Sequence, residues 1–588
     1  MVATPTDDIA VGAGHPPSKV PIGTAKDKSG KTGSSITSER AATWTFGIYV
    51  AAALPLLIFK LGSYFWFFRD DWFFITGREL SSVDDVFRPH NGHWTTVPVV
   101  IFRVLYRLFG IRSYVPYQFT VVVAHLGVAV LLRVIMRRSG VGPWLATAAA
   151  GSLVLFGAGR EDIIWAFQVG YTGSVFFVLA QWILADHRGD IDKRDWLAVG
   201  CGVLALMAGS PPIPILMVMG VALLIRRGWR AAAFQTIPTG AVYLSWMLVT
   251  HPQQSSPFGR PTARVMGDWV WSGQIATFQG IGHYQLVAVL MALLTVVGVI
   301  LALFGPASSD HRLADLTPGD ASKKAATGRP LTNVIARVRR RLYPVATPLC
   351  LFLGSVIFMT MAAQSRWFAG AQAARASRYL YIYAVLTLPL IALAAQAIVQ
   401  RWKFALPIVA PLLVAGIPAN ISAFDAPPFG PSYHQHQEAI LLNAVRTRYS
   451  RRASPDLRPI PDVFNSPGLN MAFLLGAYDT GKLVPPAGPI PERVSAELSL
   501  IFGLKQTNPT GIPTCNWLEG PQRLQPAKGQ EFVLQSDAAV RINRNGKFTQ
   551  WPVFFRPGEG SLLTVERDGM DLMINGAMGA PLKLCEVR

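Results

Sequence analysis

The residues best placed to do chemistry stand where the first apolar run stops. Phe68-Arg69-Asp70-Asp71-Trp72 puts two adjacent carboxylates among aromatic rings. Ionisable groups at a membrane boundary are costly and are functional candidates for that reason. Partly desolvated by Phe67, Trp72 and Phe73, a carboxylate here gains basicity and becomes better suited to take a proton from a hydroxyl. The same pair would also mark simply the exit of a helix from the bilayer, so the neighbours matter. Arg88-Pro-His90-Asn91-Gly92-His93-Trp94 adds two imidazoles in the same connecting segment, and Arg160-Glu161-Asp162, followed by Trp165, adds a second acidic cluster. Asp84-Asp85 reads instead as an ordinary helix start. Arg366, Arg375 and Arg378 form a basic group without an equal number of acids, a composition that suits an anion such as phosphate.

The elements that must position these residues follow from composition. Of 588 residues 51% are hydrophobic and only 15% charged, where a soluble domain usually carries about 25% charge; lipid is the solvent for most of the chain. Apolar stretches recur from about 46 to about 421, each near the length that crosses a ~30 Å hydrocarbon core. The net charge of +20 falls mainly in short loops between them. The positive-inside bias accounts for that, and nucleic acid is not an expected partner.

Thr95 to Gly110 is apolar enough to be taken for a span. If it crossed, Arg137-Arg138, the Arg226-Arg227-Gly-Trp-Arg230 cluster and the loop holding Lys323, Lys324, Arg337, Arg339, Arg340 and Arg341 would all lie outside. Laid on the outer surface as an amphipathic helix, it sends every cluster to the cytoplasm together with Lys19, Lys26, Lys28 and Lys31. Arg103 and Arg107, four apart among apolar residues, suit such an interfacial helix. Spans are then expected at about 46–68, 116–136, 143–159, 166–185, 196–209, 212–226, 231–250, 285–304, 346–364, 378–400 and 404–421, with Ser210-Pro211-Pro212 as a tight outer turn. The outward segments are 69–115, 160–165, 251–284 and 364–377. The fold class is mainly α: a polytopic transmembrane bundle of about eleven spans (46–424, with 69–115 as an outer loop), an odd number that leaves residues 425–588 as a small extracytoplasmic α/β or β domain. Residues 1–45, rich in Gly, Ser, Thr, Pro and Lys, read as a disordered cytoplasmic tail rather than a signal peptide.

From Arg523 onward, Glu531-Phe-Val-Leu, Ala539-Val-Arg-Ile, Trp551-Pro-Val-Phe-Phe and Ser561-Leu-Leu-Thr-Val alternate with turn residues, a pattern of short antiparallel strands. Cys201 and Cys350 lie in apolar spans as small core residues; Cys515 and Cys585 bracket the end of the tail, and outside the cytoplasm a disulfide between them is favoured. Trp517 and Trp551 are candidates for stacking on sugars, with burial in the tail's own core as the alternative. His434-Gln-His436 reads as polar loop rather than as a metal site.

Together these features resemble the GT-C superfamily of membrane glycosyltransferases, which includes protein O-mannosyltransferases, lipid A aminoarabinose transferases and actinobacterial arabinosyl- and mannosyltransferases. The likeness covers about 46–400. Arg69-Asp70-Asp71-Trp72 stands where the family has its first-loop carboxylate motif, and His93-Trp94 through Phe109-Gly110 looks like its surface helix. Glu161-Asp162 is similar to the second acidic motif, and Ser377-Arg378-Tyr379-Leu380-Tyr381 resembles the helix entrances that hold the lipid phosphate. The Lys-Pro-Pro motif of two branches is absent, Val97-Pro98 standing there instead, which leaves sugar and acceptor open. The resemblance implies a polyprenyl-phosphate sugar donor, a glycan, lipid or protein acceptor in the cell envelope, and Asp70 or Asp71 as catalytic base. Substrate would be held by His93, Glu161, Asp162, Arg366, Arg375 and Arg378. No cofactor is predicted: there is no Walker sequence and no strand-borne Gly-x-Gly-x-x-Gly. Asp70 and Glu161 offer oxygen ligands of the kind a divalent metal takes, but two such clusters do not predict one. The rivals are a transporter or flippase, which would show internal repeats and mid-helix charges, and a noncatalytic envelope scaffold.

Overall fold

The computed structural model describes residues 29–252, 259–305, 338–426 except 340, 430–447 and most of 450–587; it is mostly helical, with a small C-terminal sheet region. The segment expected to be a disordered tail lies outside the described residues as far as 28. From Ser29 it is helix, continuous to Leu56. Its polar start is weak as an isolated helix, but it extends one already anchored in the bundle, and Glu39 pairs with Arg137 of the next long helix, Val115–Arg138. Pro55 lies inside the first helix, which ends in a wide π turn, Leu57–Leu61, as a helix does when an amide is missing from its ladder.

Among the described residues seven stretches are long and apolar enough to cross a membrane: Thr37–Leu61, Val115–Arg138, Ala166–Ala185, Gln285–Phe304, Ala346–Ala369, Ser377–Arg401 and Lys403–Asp425. That makes the chain a membrane protein, with fewer such stretches than the eleven spans expected. Pro143–Val154 and Pro212–Arg226 are apolar but shorter. The other two expected spans are the helices Lys193–Ala208, which opens on Lys193-Arg194-Asp195, and Trp229–Thr250, which carries Arg230, Gln235 and Thr236.

Ser377–Arg401 is the central helix, buried almost without interruption from Tyr379 to Ala395. Its neighbour Gln285–Phe304 approaches so closely that a methyl on Gly298 would strike the backbone of Ala394. Small residues permit such contact where lipid gives no hydrophobic drive to association. Amides serve the irregular backbone between helices: Gln118 Nε2 donates to the carbonyls of Gly62 and Ile164 at 3.0 and 3.1 Å, and Asn420 Nδ2 to those of Gly280 and Gly416, both at 3.0 Å. Unwound backbone in a bundle has to find partners of this kind.

Two of the segments expected to face outward hold more than the sequence announces. Residues 251–284, where no element was expected, contain the helix Ala263–Gly282. Its buried face, Trp269, Ser272, Gly273, Ala276, Thr277 and Gly280, repeats every three or four positions but is built mostly of small residues, so hydropathy does not reveal it. Thr96–Phe109 is the expected surface helix, with Val100, Val104 and Leu108 exposed along one side. Arg103, however, is buried: it donates to the carbonyl of Ile75 and, at 2.8 Å, to Glu79 Oε1. Of the two arginines only Arg107 is exposed, because the Ile75 carbonyl at a helix end needs a donor and takes Arg103.

The tail begins as part of the bundle. Tyr433 and His434, on the helix Pro431–Ala444, pack on Phe68 and on Phe65, and residues as far as Leu498 belong to the same apolar core. A second, smaller core lies between two antiparallel sheets. The first contains β1 (Leu504–Thr507), β2 (Cys515–Leu518), β4 (Glu531–Gln535), β7 (Gly560–Thr564) and β9 (Leu582–Glu586), in the order β1-β7-β4-β9-β2. The second contains β3 (Gln522–Leu524), β5 (Val540–Arg544), β6 (Lys547–Phe548) and β8 (Leu572–Gly576), in the order β3-β8-β5-β6. Strands therefore start some twenty residues before Arg523. Cys515 and Cys585 are directly opposite in register on β2 and β9 and are disulfide-bonded. Trp517 is exposed on β2; Trp551 lies outside the described residues.

Candidate functional site

The site is assembled from the segment after the first helix. Tyr64 to Phe68 are all buried, and the chain then turns at Arg69, whose φ of +49° is rare for a non-glycine residue. This turn starts the helix Asp70–Thr76 with both carboxylates in its first turn and sends them in different directions.

Asp71 points into the protein and is fully buried. Its Oδ2 accepts from Phe68 N–H at 3.0 Å, Tyr114 O–H at 3.1 Å and Trp165 Nε1–H at 3.2 Å. Tyr114 Oη in turn accepts from Ala166 N–H at 2.7 Å. Burial pushes the Asp71 carboxyl well above the usual carboxylate range, helped by the charge of Asp70 and opposed by the three hydrogen bonds. Asp71 thus ties the segment after the first helix to Tyr114 and Trp165, and it does not line the cavity described next.

Asp70 is about a quarter exposed and lines a cavity of about 650 Å³ together with His90, His93, Arg366, Arg378 and Tyr379. Its Oδ1 lies 2.7 Å from His90 Nε2. His90 and His93 flank a tight turn, with paired backbone hydrogen bonds of 3.0 and 2.9 Å and positive φ at Asn91 (+50°) and Gly92 (+79°). Positive φ at both central residues is the type I′ hairpin turn, which Asn-Gly favours. His93 is pushed down to about 4, first by burial and then by the positive fields of His90 and Arg366, so at neutral pH it offers an uncharged imidazole.

Arg366 ends the helix Ala346–Arg366 and Arg378 is the second residue of the central helix, so the 367–376 connection brings both to the cavity. The Arg378 guanidinium lies 5.3 Å from the Tyr379 ring centroid. Apolar wall comes from Phe74, Phe167, Ile213, Phe358 and Met361, and the Gly209-Ser210 turn closes one side.

The other predicted site residues stand apart from the cavity wall. Arg375 is engaged with Ser272 Oγ at 3.3 Å and Gln279 Oε1 at 3.0 Å. Glu161 donates its backbone N–H to Ser377 Oγ at 3.2 Å. Asp162 is fully buried, with neither carboxylate oxygen hydrogen-bonded to a described residue. Burial raises it well above the usual range, Glu161 adds to the rise, and Arg378 opposes it. Among the described residues the group of ligating side chains that converges is elsewhere: His187, Asp192 and Asp195, at the far end of the Val169–Ala185 helix. Those carboxylates already face cations, Asp195 with Arg227 at 2.6 Å and Asp192 with Arg194 at 2.7 Å. Neither Asp70 nor Glu161 belongs to such a group among the described residues.

Sequence reasoning passed over His90 as a site residue, although the Asn91-Gly92 pair that sets it beside His93 is a readable turn signal. Tyr379, which also lines the cavity, stood in the Ser377–Tyr381 motif without a role of its own, and Tyr171 gave no signal beyond being aromatic. No family model, curated protein or solved structure matches this chain.

Proposed function

We propose that this protein is a membrane glycosyltransferase of the GT-C type, moving a sugar from a polyprenyl-phosphate donor to a glycan, lipid or protein acceptor of the cell envelope on the extracytoplasmic side. One observation carries the reading: a carboxylate, Asp70, and two arginines, Arg366 and Arg378, line the same partly apolar cavity. Asp70 takes the proton of the acceptor hydroxyl as its oxygen attacks the anomeric carbon. The bond from that carbon to the phosphate oxygen breaks, and the electron pair leaves with the phosphate, whose charge Arg378 and Arg366 meet. His93 contributes a neutral N–H or lone pair, and the apolar wall suits the isoprenoid chain. The donor is already activated, so no cofactor enters.

Residues next to helix ends, Asp70, Trp165, Gly209, Arg366 and Arg378, all line this cavity, as does Tyr243 from the C-terminal half of Trp229–Thr250. This supports a chain that traverses the bundle eleven times, short helices included. Arg137, Arg138, Arg226 and Arg227 stand at the opposite ends of their helices, which supports a cytoplasmic N-terminus and an extracytoplasmic tail.

Purified protein in nanodiscs, given polyprenyl-phosphate sugars labelled in the sugar and membrane extract as acceptor, should form a labelled product that Asp70→Asn and Arg378→Gln fail to make. Wild-type protein that moves intact lipid across a bilayer and forms no glycosidic bond would establish the flippase instead.

A further inference from the structure

The His90 imidazole is 7% exposed and is held between the rings of Phe73 and Phe74, with centroids 4.6 and 5.1 Å away. The type I′ turn fixes its backbone, since the His90 and His93 amides and carbonyls bond each other. Its Nε2 lies 2.7 Å from Asp70 Oδ1; the Asn91 Nδ2 at 3.1 Å from the same nitrogen is itself a donor, so Asp70 is the acceptor that Nε2 has there. An ionised carboxylate only accepts, so His90 Nε2 carries the hydrogen and donates it. Asp70 is then tethered by one oxygen, leaving the other for the cavity.

We propose that His90 is the positioning residue of Asp70: it holds Oδ1 and thereby presents Oδ2 to the acceptor hydroxyl. This rests on Asp70 being the base. Without that hydrogen bond the carboxylate can rotate toward the cavity arginines, and an ion pair there would lower its basicity. His90 itself touches neither donor nor acceptor in this scheme, so its loss slows the chemical step and leaves donor binding alone.

The test uses full-length protein in nanodiscs with a panel of undecaprenyl-phosphate-linked hexoses and pentoses. His90→Phe keeps a packed ring and removes the hydrogen bond. A misplaced catalytic group costs on the order of 10- to 100-fold, so kcat should fall by about that much while donor KM stays within about twofold. His90→Gln can donate an N–H from a similar position and should recover kcat to within about threefold of wild type. A His90→Phe protein with wild-type kcat overturns the proposal. So does a loss of donor binding in step with turnover, or a Gln variant no better than Phe. Asp70→Asn, run in parallel, separates the two ideas. Undiminished transfer by Asp70→Asn, or a wild type inert toward the whole panel, removes the function itself; an inert Asp70→Asn beside a fully active His90→Phe removes only the role of His90.

Discussion

Asp70 and Asp71 are neighbours in the chain that face opposite ways, one to a cavity and a histidine, the other to three donors inside the protein. Asparagine keeps the shape of both and cannot ionise at either, so it separates their roles. Asp70→Asn should lower kcat by about 100- to 10,000-fold, the usual cost of losing a general base. Asp71→Asn should transfer sugar at close to the wild-type rate, because its oxygen can still accept from Phe68, Tyr114 and Trp165. Single-turnover rates of the two variants at equal expression check this directly.

Asp71 also carries a pH signature. Its folded pKa is raised, so the stability linked to it is complete below the unfolded value of about 3.9 and is lost as pH rises through the raised folded value. Wild-type melting temperature in detergent should therefore fall over that range. Asp71→Asn should lack this component of the decline. A wild type that becomes more stable across the same range, relative to the variant, would show that Asp71 is ionised in the fold.

The arginines divide in the same way. Arg378→Gln and Arg366→Gln should each cost about 100- to 1,000-fold in kcat, as expected for removing one electrostatic contact to a departing charge. Both should also weaken inhibition by free undecaprenyl phosphate. Arg375→Gln loses bonds to Ser272 and Gln279 and should change inhibition little. If Arg375→Gln proved the most damaging of the three, the phosphate would have been assigned to the wrong part of the connection.

Arg103 tests the surface helix. Replacing it with Met keeps the stem, releases exposed Glu79 to water and strands the carbonyl of buried Ile75, a loss of roughly 1–3 kcal/mol for a buried acceptor left unpaired. Thermal melts in micelles should show that loss whatever lipid is added back. A loss that appears only when anionic lipid is present would mean that Arg103 serves headgroups.

The sequence was most legible where one physical signal dominated. Apolar length located the long helices, and charge bias kept Thr96–Phe109 off the list of spans. It failed where the signal was spread over small residues, as in Ala263–Gly282, whose packed face of Gly, Ala, Ser and Thr has little hydropathy. Of the site, Asp70, His93, Arg366 and Arg378 were visible because ionisable groups at a membrane boundary stand out. Which of two adjacent aspartates faces the cavity was not visible, since that depends on the backbone turn at Arg69. Arg375 could not be told from Arg366 by type or spacing; only the helix Ala263–Gly282, unread in the sequence, shows what it binds.

The end of the surface helix is gripped by the tail. Ile111 N–H bonds the carbonyl of Lys482 at 2.8 Å, a methyl on Gly110 would collide with the Lys482 backbone, and Lys482 Nζ sits 4.6 Å from the centre of the Tyr106 ring. The other end of that helix supplies Thr95 and Pro98 to the cavity wall. A single fourteen-residue helix thus has one end fixed by the segment at Lys482 and the other end in the wall of the cavity, so a displacement of that segment is a displacement of the wall.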